Sequence, residues 1–469
     1  MLRLAALAAL LLVAACGHDA AAPDDAPADA SADAPVDAPP DAAIDAPADA
    51  PPDAAVVSCV GSPVISVRVQ YRDGFDRTLP QPDVRAIFLY PDHSTVVAVT
   101  DADGRVAAPG VDGTTVFLSG VATGEARIHV FTRVPACATI ELRPPPWYQI
   151  TSGTALGDAS FRFAAPPVWL NGVYGPCGLS AVSSTAVATR TILDVPTCEY
   201  EHDATLLAYA RDNVDITGWT TLTHVDLTAI AGQTVIVPPL DPPVRATAHW
   251  SNAEPGWSHT DTIFFDGPGL HWTGATQTAS VRPTTPDFDH VWGVAPLGPA
   301  TMISWSAEDA PVPPTEQHIV ERVQPAPALV GTIDVADAIG TLTHTAAGLG
   351  PAGGFSVTWS WGGNASHHGD LAMALVHDRG NQGRDVRVYG PGDGDHLLVP
   401  GWPAELGPPP SAPDQLEIEE LYAFDLDGDA TYADGLATGQ LGRDYHQAYV
   451  APEFPGVSYW RSTKLPRFP

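Results

Sequence analysis

The sequence predicts an all-β protein in which several β-sandwiches follow one another along the chain. Apolar and polar residues alternate with a period of two. In ISVRVQYR, Ile65 and Val67 fall on one side of the strand, and Ser66 and Arg68 fall on the other. The stretch FSVTWSW (355–361) repeats this alternation, which is typical of strands buried on one face. The 48 prolines and 42 glycines fit many turns, and the chain after the N-terminal segment shows no convincing amphipathic helix.

Residues 1–15 predict a signal peptide. Arg3 supplies a positive start, and an apolar run of twelve residues extends from 4 to 15. This run is too short for a spanning helix, which needs about 20 apolar residues. The tetrad Val13-Ala14-Ala15-Cys16 then resembles the lipobox of bacterial lipoproteins. An ordinary secretory signal in which Cys16 falls by chance is the alternative.

The lipobox resemblance implies that Cys16 is the first mature residue and carries lipid on its thiol, with a further acyl chain on its amino group. Several acyl chains would hold the protein on a membrane surface, since each buried methylene contributes about 0.8 kcal/mol. Gly17, and not Asp, follows Cys16. By resemblance to enteric sorting, this places the protein in the cell envelope at the outer membrane, with the periplasmic and external faces both open.

Residues 16–56 predict a disordered tether. Aspartate recurs every fourth residue from Asp25 to Asp53, and alanine follows each one. Like charges at i, i+4 and repeated proline oppose a helix, and the segment has little apolar surface to bury. An extended chain of this kind spans roughly 100 Å at about 3 Å per residue. It is expected to act as a spacer. The alternative is that the repeat is low-complexity sequence that arose by drift and has no function.

Proline-rich seams divide the remaining chain into four predicted β units: 57–142, 143–240, 241–324 and 325–469. In the first unit, TDADGRVAAPGVDGTTVFLSG (100–120) resembles the Ig-like or prealbumin-like carboxypeptidase-regulatory domains, with Asp101 to Gly104 as the acidic turn between strands. The resemblance covers about 60 to 85 residues. It implies a β-sandwich that serves as a rigid spacer or weak binder and carries no catalytic residues.

Four cysteines remain after Cys16: Cys59, Cys137, Cys177 and Cys198. An even number in an exported chain predicts two disulfides. Pairing 59 with 137 and 177 with 198 keeps each bridge within one predicted unit, although four cysteines allow three connectivities. A metal site is the competing interpretation, but no CxxC spacing supports it.

The charge balance excludes nucleic acid as a partner. The whole chain carries a net charge of −33; ten aspartates and one arginine lie before residue 57, so the folded part carries −24. Binding to nucleic acid or to anionic lipid needs basic patches, and none is visible in the sequence.

The densest group of acids, in DLDGDATYADG, is a candidate calcium site formed by Asp425, Asp427, Asp429 and Asp434. Carboxylates at i, i+2 and i+4 can converge when a loop wraps a calcium ion. The loop departs from the EF-hand pattern, which needs glycine at its sixth position and glutamate at its twelfth; Ala430 and Leu436 stand there. A solvated acidic turn is the alternative.

A second candidate site lies in SHHGDLAMALVHDRG, which contains His367, His368, Asp370, His377 and Asp378. Imidazoles and a carboxylate could hold zinc and activate water. However, no HExxH motif is present, and the apolar run 371–376 predicts a strand that separates the two ends. Loop histidines at the ends of a strand are the alternative.

Tryptophans offer a third possibility. Trp359, Trp361 and Trp402 could stack on sugars, or they could fill sandwich cores. The sequence contains no G-x-S-x-G elbow. A pair of acids for glycoside cleavage is defined by spacing in three dimensions and stays open.

The sequence therefore predicts a membrane-anchored envelope lipoprotein with a structural, adhesive or binding role and no catalytic activity. Its expected partners are the membrane, through the lipid on Cys16, and an envelope protein or carbohydrate. No cofactor is expected, apart from the candidate calcium ion. An exported hydrolase of carbohydrate or peptide, with a site in 325–469, is the alternative. A third interpretation is a binder of soluble ligands with a tryptophan-lined groove.

Overall fold

The computed structural model divides by its contacts into two units, Met1–Val56 and Val57–Pro469. All the residues that the structure describes lie in the second unit: 61–72, 78–121, 128–142, 155–164, 170–175, 180–182, 188–192, 195, 202–212, 216–253, 257–265, 276–295, 300–308, 316–325, 329–362, 369–380, 384–410, 412–427, 430–437 and 459–466. The predicted signal peptide, Cys16 and the tether lie outside this range.

The described residues form 29 strands and two short α-helices, besides single turns of 3₁₀ helix. The first fifteen strands are β1 (Val64–Arg72), β2 (Thr78–Pro80), β3 (Arg85–Leu89), β4 (Thr95–Val99), β5 (Arg105–Pro109), β6 (Thr114–Ser119), β7 (Ile128–Val134), β8 (Thr139–Leu142), β9 (Ala159–Phe163), β10 (Leu170–Tyr174), β11 (Ser180–Val182), β12 (Thr189–Ile192), β13 (Ala204–Arg211), β14 (Ile216–Val225) and β15 (Thr234–Val237). The others are β16 (Val244–Ser251), β17 (Ser258–Phe265), β18 (Thr276–Val281), β19 (Phe288–Val294), β20 (Ala300–Glu308), β21 (Glu316–Pro325), β22 (Val330–Asp334), β23 (Thr341–Leu349), β24 (Phe355–Gly362), β25 (Leu371–Asp378), β26 (Arg384–Pro391), β27 (His396–Val399), β28 (Leu416–Leu426) and β29 (Tyr459–Pro466). The helices are α1 (Leu227–Ile230) and α2 (Tyr432–Ala437).

Twelve of these strands pair into one sheet, in the order β18-β17-β20-β21-β29-β28-β25-β26-β7-β6-β3-β4. Neighbours are antiparallel except β26 and β7, which run parallel from the pair Val386–Ile128 to the pair Tyr389–Phe131. This parallel pair joins a strand near residue 130 to one near residue 390, so the sheet combines distant parts of the chain.

The long sheet is buried on both faces over much of its width. Along β3, Ile87 packs into one apolar core, whereas Ala86 and Phe88 pack into another. The first core also takes in residues of the three-stranded sheets β19-β16-β22 and β23-β24-β27, and the second takes in residues of β1, β5 and β8. A strand covered on both sides reads as a continuous apolar run, which is why β25 (LAMALVHD) does not alternate.

A separate sandwich forms between residues 155 and 240. Its two sheets are β12-β9-β15 and β11-β10-β13-β14. Phe161 and Ile192 of the first sheet share a core with Val173 and Leu206 of the second. Layers of sheet packed face to face are the architecture of a β-sandwich, so the predicted all-β sandwich class is confirmed.

Strand pairing crosses the predicted seams between units. The twelve-stranded sheet takes its strands from the segments predicted as 57–142, 241–324 and 325–469, whereas those segments were expected to form sandwiches in series. Period-two alternation marks a strand and its buried face but carries no information about its partner. No helix in the described part of the chain is long and apolar enough to cross a membrane.

Candidate functional site

A groove of about 410 Å³ with a mixed polar and apolar lining opens on the outer face of β1, β5 and β8. The inward residues of β1, such as Ile65 and Val67, are buried in the core. Period-two alternation therefore turns the intervening residues outward, and register places them in rows across the three strands: Ser66 lies beside Thr139, and Arg68 lies between Arg105 and Glu141. The groove is lined by Ser66, Val67, Arg68, Asp101, Arg105, Val106, Ala107, Thr139 and Glu141.

The groove presents hydrogen-bond donors and acceptors side by side. The hydroxyls of Ser66 and Thr139 are 3.0 Å apart. The guanidinium of Arg68 lies 3.9 Å from the carboxylate of Glu141, and both side chains are partly exposed. The groove therefore brings a guanidinium, a carboxylate and two hydroxyls together on one face of the sheet. The arrangement suits a polar ligand with many hydroxyl or amide groups.

The turn that borders the groove is the one identified in the sequence. Asp101 Oδ1 accepts hydrogen bonds from the backbone N–H groups of Asp103 and Arg105, both at 2.9 Å. Gly104 has a φ of +70°, and a Cβ there would lie 2.2 Å from the carbonyl oxygen of Val69. Glycine is therefore required where the turn passes over β1.

The described members of the predicted calcium site hold other partners. Asp427 forms a two-point ion pair with Arg322 (2.7 and 2.5 Å). Asp434 accepts hydrogen bonds from the backbone and hydroxyl of Thr431 at the start of α2, both at 2.8 Å. Asp429 lies outside the described residues. No cluster of three metal-ligating side chains occurs among the residues described, and calcium binding by Asp427 would have to break its ion pair. Calcium binding at this loop stays a prediction.

The predicted histidine and aspartate set is divided by β25. Asp370 precedes the strand, whereas His377 and Asp378 end it, about 23 Å away at 3.3 Å per residue. His377 Nδ1 bonds Asp385 at 2.6 Å, and the fully buried Asp378 pairs with Arg384 at 2.7 Å. The structure therefore does not bring these three side chains together. His367 and His368 lie outside the described residues.

Asp370 instead approaches acids from other strands. Its Oδ2 accepts the backbone N–H of Leu426 at 2.8 Å. The pKa of Asp370 is raised to about 6. Burial is the largest cause, the hydrogen bond from Leu426 opposes it, and the charges of Asp425 and Asp393 add to the rise. Asp370 and Asp425, which the sequence placed in two different candidate sites, thus influence each other at one end of β25 and β28.

The three tryptophans proposed as a sugar platform pack into the fold. Trp359 is 3% exposed and Trp402 is 9% exposed, and both belong to the same apolar core. The indole N–H of Trp361 donates to the carbonyl of Gly394 at 3.1 Å. The guanidinium of Arg384 lies 4.9 Å from the centre of the Trp402 ring. These contacts support the interpretation that the tryptophans fill a core.

A buried aspartate–histidine pair was not identified from the sequence. Asp261 on β17 is fully buried and bonds His290 Nδ1 on β19. Burial raises the pKa of Asp261, and the hydrogen bond and charge of His290 oppose that rise. Beside them the buried His259 packs edge-on against Trp250, with ring centres 4.6 Å apart. Polar residues at alternate positions of SHTDTIFF were the available signal; their burial indicates a structural role.

Cys137 is disulfide-bonded. The other three cysteines of the predicted bridges, Cys59, Cys177 and Cys198, lie outside the described residues. The predicted pairing of 59 with 137 and of 177 with 198 stays a prediction.

No family model matches the chain, and no curated protein matches it in sequence. Among solved structures, the Bacillus anthracis TIE protein is similar at 9% identity and a TM-score of 0.15, over 53% of this chain and 45% of that one. The FN1–FN3 domains of chicken CNTN1 match at 10% identity and a TM-score of 0.15, over 55% of this chain and 86% of that one. The chain thus spans less than half the length of the first, and likenesses at these scores carry no argument about function.

Proposed function

We propose that this chain is a lipid-anchored protein of the bacterial cell envelope whose β unit has a non-catalytic binding role. The observation that carries the proposal is the groove on β1, β5 and β8, where Arg68, Glu141 and two hydroxyls lie side by side. Cys16 would hold the chain at the membrane, and the segment 16–56 would lift the groove away from it. An envelope carbohydrate, rich in hydroxyl groups, is the partner that the groove chemistry favours.

The contacts of the candidate catalytic residues support a non-catalytic role. His377, Asp378 and Asp427 each bond a neighbouring charged side chain that fixes local structure. A general acid or a metal ligand needs a lone pair or a proton that is free to engage substrate or ion. Asp378 is fully buried in its pair with Arg384, and Asp427 binds Arg322 through both oxygens, whereas the bond to Asp385 engages only Nδ1 of His377.

The anchor is tested by replacing Cys16 with serine. We expect the wild-type chain to fractionate with membranes and to incorporate labelled palmitate, and we expect Cys16→Ser to do neither. The replacement is nearly isosteric and removes only the thiol that would be lipidated. A Cys16→Ser chain that still fractionates with membranes would contradict the anchor.

The groove is tested by binding of the full chain to immobilised envelope polysaccharides. Arg68→Ala is expected to weaken binding at least tenfold, since it removes the guanidinium at the centre of the groove. Arg379→Ala is the matched control, because Arg379 is also an exposed arginine in an ion pair, with Glu417, but does not line the groove. Equal loss of binding in both variants, or no binding by the wild type, would contradict the proposal.

A hydrolase is the second candidate, and Asp370 is the observation that favours it. A carboxyl group with a pKa near 6, influenced by the charges of two further aspartates, is suited to act as a general acid. Asp370→Asn would abolish cleavage of an envelope polysaccharide while preserving the fold. Detection of such cleavage in the wild type, and its loss in this variant, would replace the binding proposal.

A further inference from the structure

β4 (Thr95–Val99) is the last strand at one edge of the twelve-stranded sheet, as far as the structure describes the chain. Within the described residues it pairs only with β3, in a register that runs without interruption from Arg85–Val99 to Leu89–Thr95. Four of its five residues are exposed, and they include residues from both faces of the strand. The edge strand of an antiparallel ladder leaves about half of its backbone N–H and C=O groups without a partner strand.

This edge lacks the features that usually protect one. Its sequence, TVVAV, contains no charge and no proline, and its pairing with β3 shows no bulge. Val96, Val97 and Val99 are 36%, 45% and 52% exposed. β-Branched residues of this kind favour pairing into a sheet, and natural edges are normally blunted by lysine, proline or a bulge. The opposite edge of the same sheet, β18 (TQTASV), is mostly polar.

The charges around β4 indicate what kind of strand it accepts. Asp92 lies three residues before the strand, and Asp101 and Asp103 lie just after it, so carboxylates flank both ends; at the second end two arginines stand beside them, Arg85 opposite Val99 on β3 and Arg105 after the turn. The pKa of Asp92 is lowered by hydrogen bonds from Ser94, which keeps it charged. A second copy of this chain would bring the same aspartates together and would add the repulsion of two strongly acidic proteins. A partner with basic ends meets no such repulsion.

From this edge, we propose that β4 binds an extended peptide segment by strand addition. The segment has uncharged, β-branched residues in its centre and basic residues at both ends. Backbone hydrogen bonds to the free side of β4 supply affinity, and alternate side chains of the segment pack beside Val97 on one face and Val96 on the other. The proposal goes beyond the groove, which lies on β1, β5 and β8; the two surfaces share Asp101, but the backbone edge of β4 is no part of the groove.

The probe is a synthetic peptide of alternating threonine and valine with two lysines at each end, added to the full chain in detergent. Fluorescence anisotropy measures binding, and amide hydrogen exchange measures protection of residues 95–99. We expect saturable binding, at least tenfold slower exchange in β4 and weaker binding at high salt. A matched peptide with glutamates at its ends is expected to bind at least tenfold more weakly.

Val97→Lys should weaken binding at least tenfold, because it places a charge in the middle of the edge, against the uncharged centre of the segment. Val111→Lys is the matched control: Val111 is equally exposed, at 45%, but lies in the turn after β5. Val99→Lys serves as a second edge variant, and unchanged exchange in β3 shows that the hairpin is intact. Equal binding of both peptides, protection elsewhere than β4, or equal loss in the Val111 variant would overturn the proposal. A dimer that both edge variants abolish would assign the edge to a second copy instead.

Discussion

His129 lies fully buried on β7, opposite Arg387 of β26 in the register of the long sheet. Its Nδ1 is 3.3 Å from the hydroxyl of Tyr389. Burial, and then the charge of Arg387, lower the pKa of His129 to about 3 from an ordinary 6.5. The folded protein therefore keeps this imidazole neutral at a pH where the unfolded chain would protonate it.

The pH dependence of His129 has a definite sign. Below pH 6.5 the unfolded state binds one more proton than the folded state, so stability falls by about 1.4 kcal/mol per pH unit as pH falls towards 3. We expect His129→Gln to lose this slope, amounting to about 2 kcal/mol between pH 6.5 and 5. Urea unfolding of both proteins across this range checks it; parallel pH profiles would contradict the assignment.

Asp370 makes stability depend on pH in the opposite direction. Its folded pKa of about 6 lies above the unfolded value of about 3.8, so its favourable contribution is present below pH 3.8 and is lost as pH rises through 6. Asp370→Asn removes the charge and can still accept the N–H of Leu426. After allowance for partial exposure, we expect the variant to be about 1 kcal/mol more stable at pH 8 and equal to wild type at pH 3.5. A difference that does not change with pH would be evidence against the raised pKa.

At the scale of elements, the hairpin of β25 and β26 closes on a buried ion pair. Asp378 and Arg384 face each other in register, 2.7 Å apart, with side chains 0% and 12% exposed. Gly380 N–H also donates to Asp378 at 3.1 Å. Removing one partner of a buried pair leaves the other charge in a site of low polarity, which is costly.

We expect Asp378→Ala to lower the free energy of unfolding by about 3 kcal/mol. Glu417→Ala is the matched control, because Glu417 pairs with Arg379 near the same end of β25, where both side chains are about half exposed. Its loss is expected to be below about 0.5 kcal/mol. Urea unfolding at neutral pH measures both. Similar losses in the two variants would contradict the distinction between the buried and the exposed pair.

At the scale of the whole molecule, the disulfide at Cys137 adds a covalent link to a unit that is otherwise held by its apolar cores. We expect reduction, or Cys137→Ser, to lower the free energy of unfolding by about 2–4 kcal/mol, because the crosslink restricts the unfolded chain. Peptide mapping of the oxidised protein would identify its partner, for which Cys59 is predicted. Unchanged stability after complete reduction would contradict a structural role for the bridge.

The sequence predicted strands better than it predicted sites. Alternation in ISVRVQYR correctly placed Ile65 and Val67 in the core and Arg68 outside, because the two faces of β1 meet different environments. The turn at Asp101 was also readable, since an aspartate and a following glycine are required there by local geometry. The buried pair of Asp261 and His290 could not be predicted from the sequence, because it joins strands of two different sheets.

Patterns among residues close in sequence therefore determined what could be learned from the sequence alone: the all-β class, the strands, their buried faces and the acidic turn. The expected anchor, tether and lipid also rest on the sequence. Tertiary structure decided the rest, namely that strands near residues 130 and 390 pair, that Asp427 forms an ion pair with Arg322, and that β4 lies at the edge of a sheet. The physical reason is that alternation depends on neighbours two residues apart, whereas the pairing of β7 with β26 and of Arg322 with Asp427 joins segments that are far apart in the sequence.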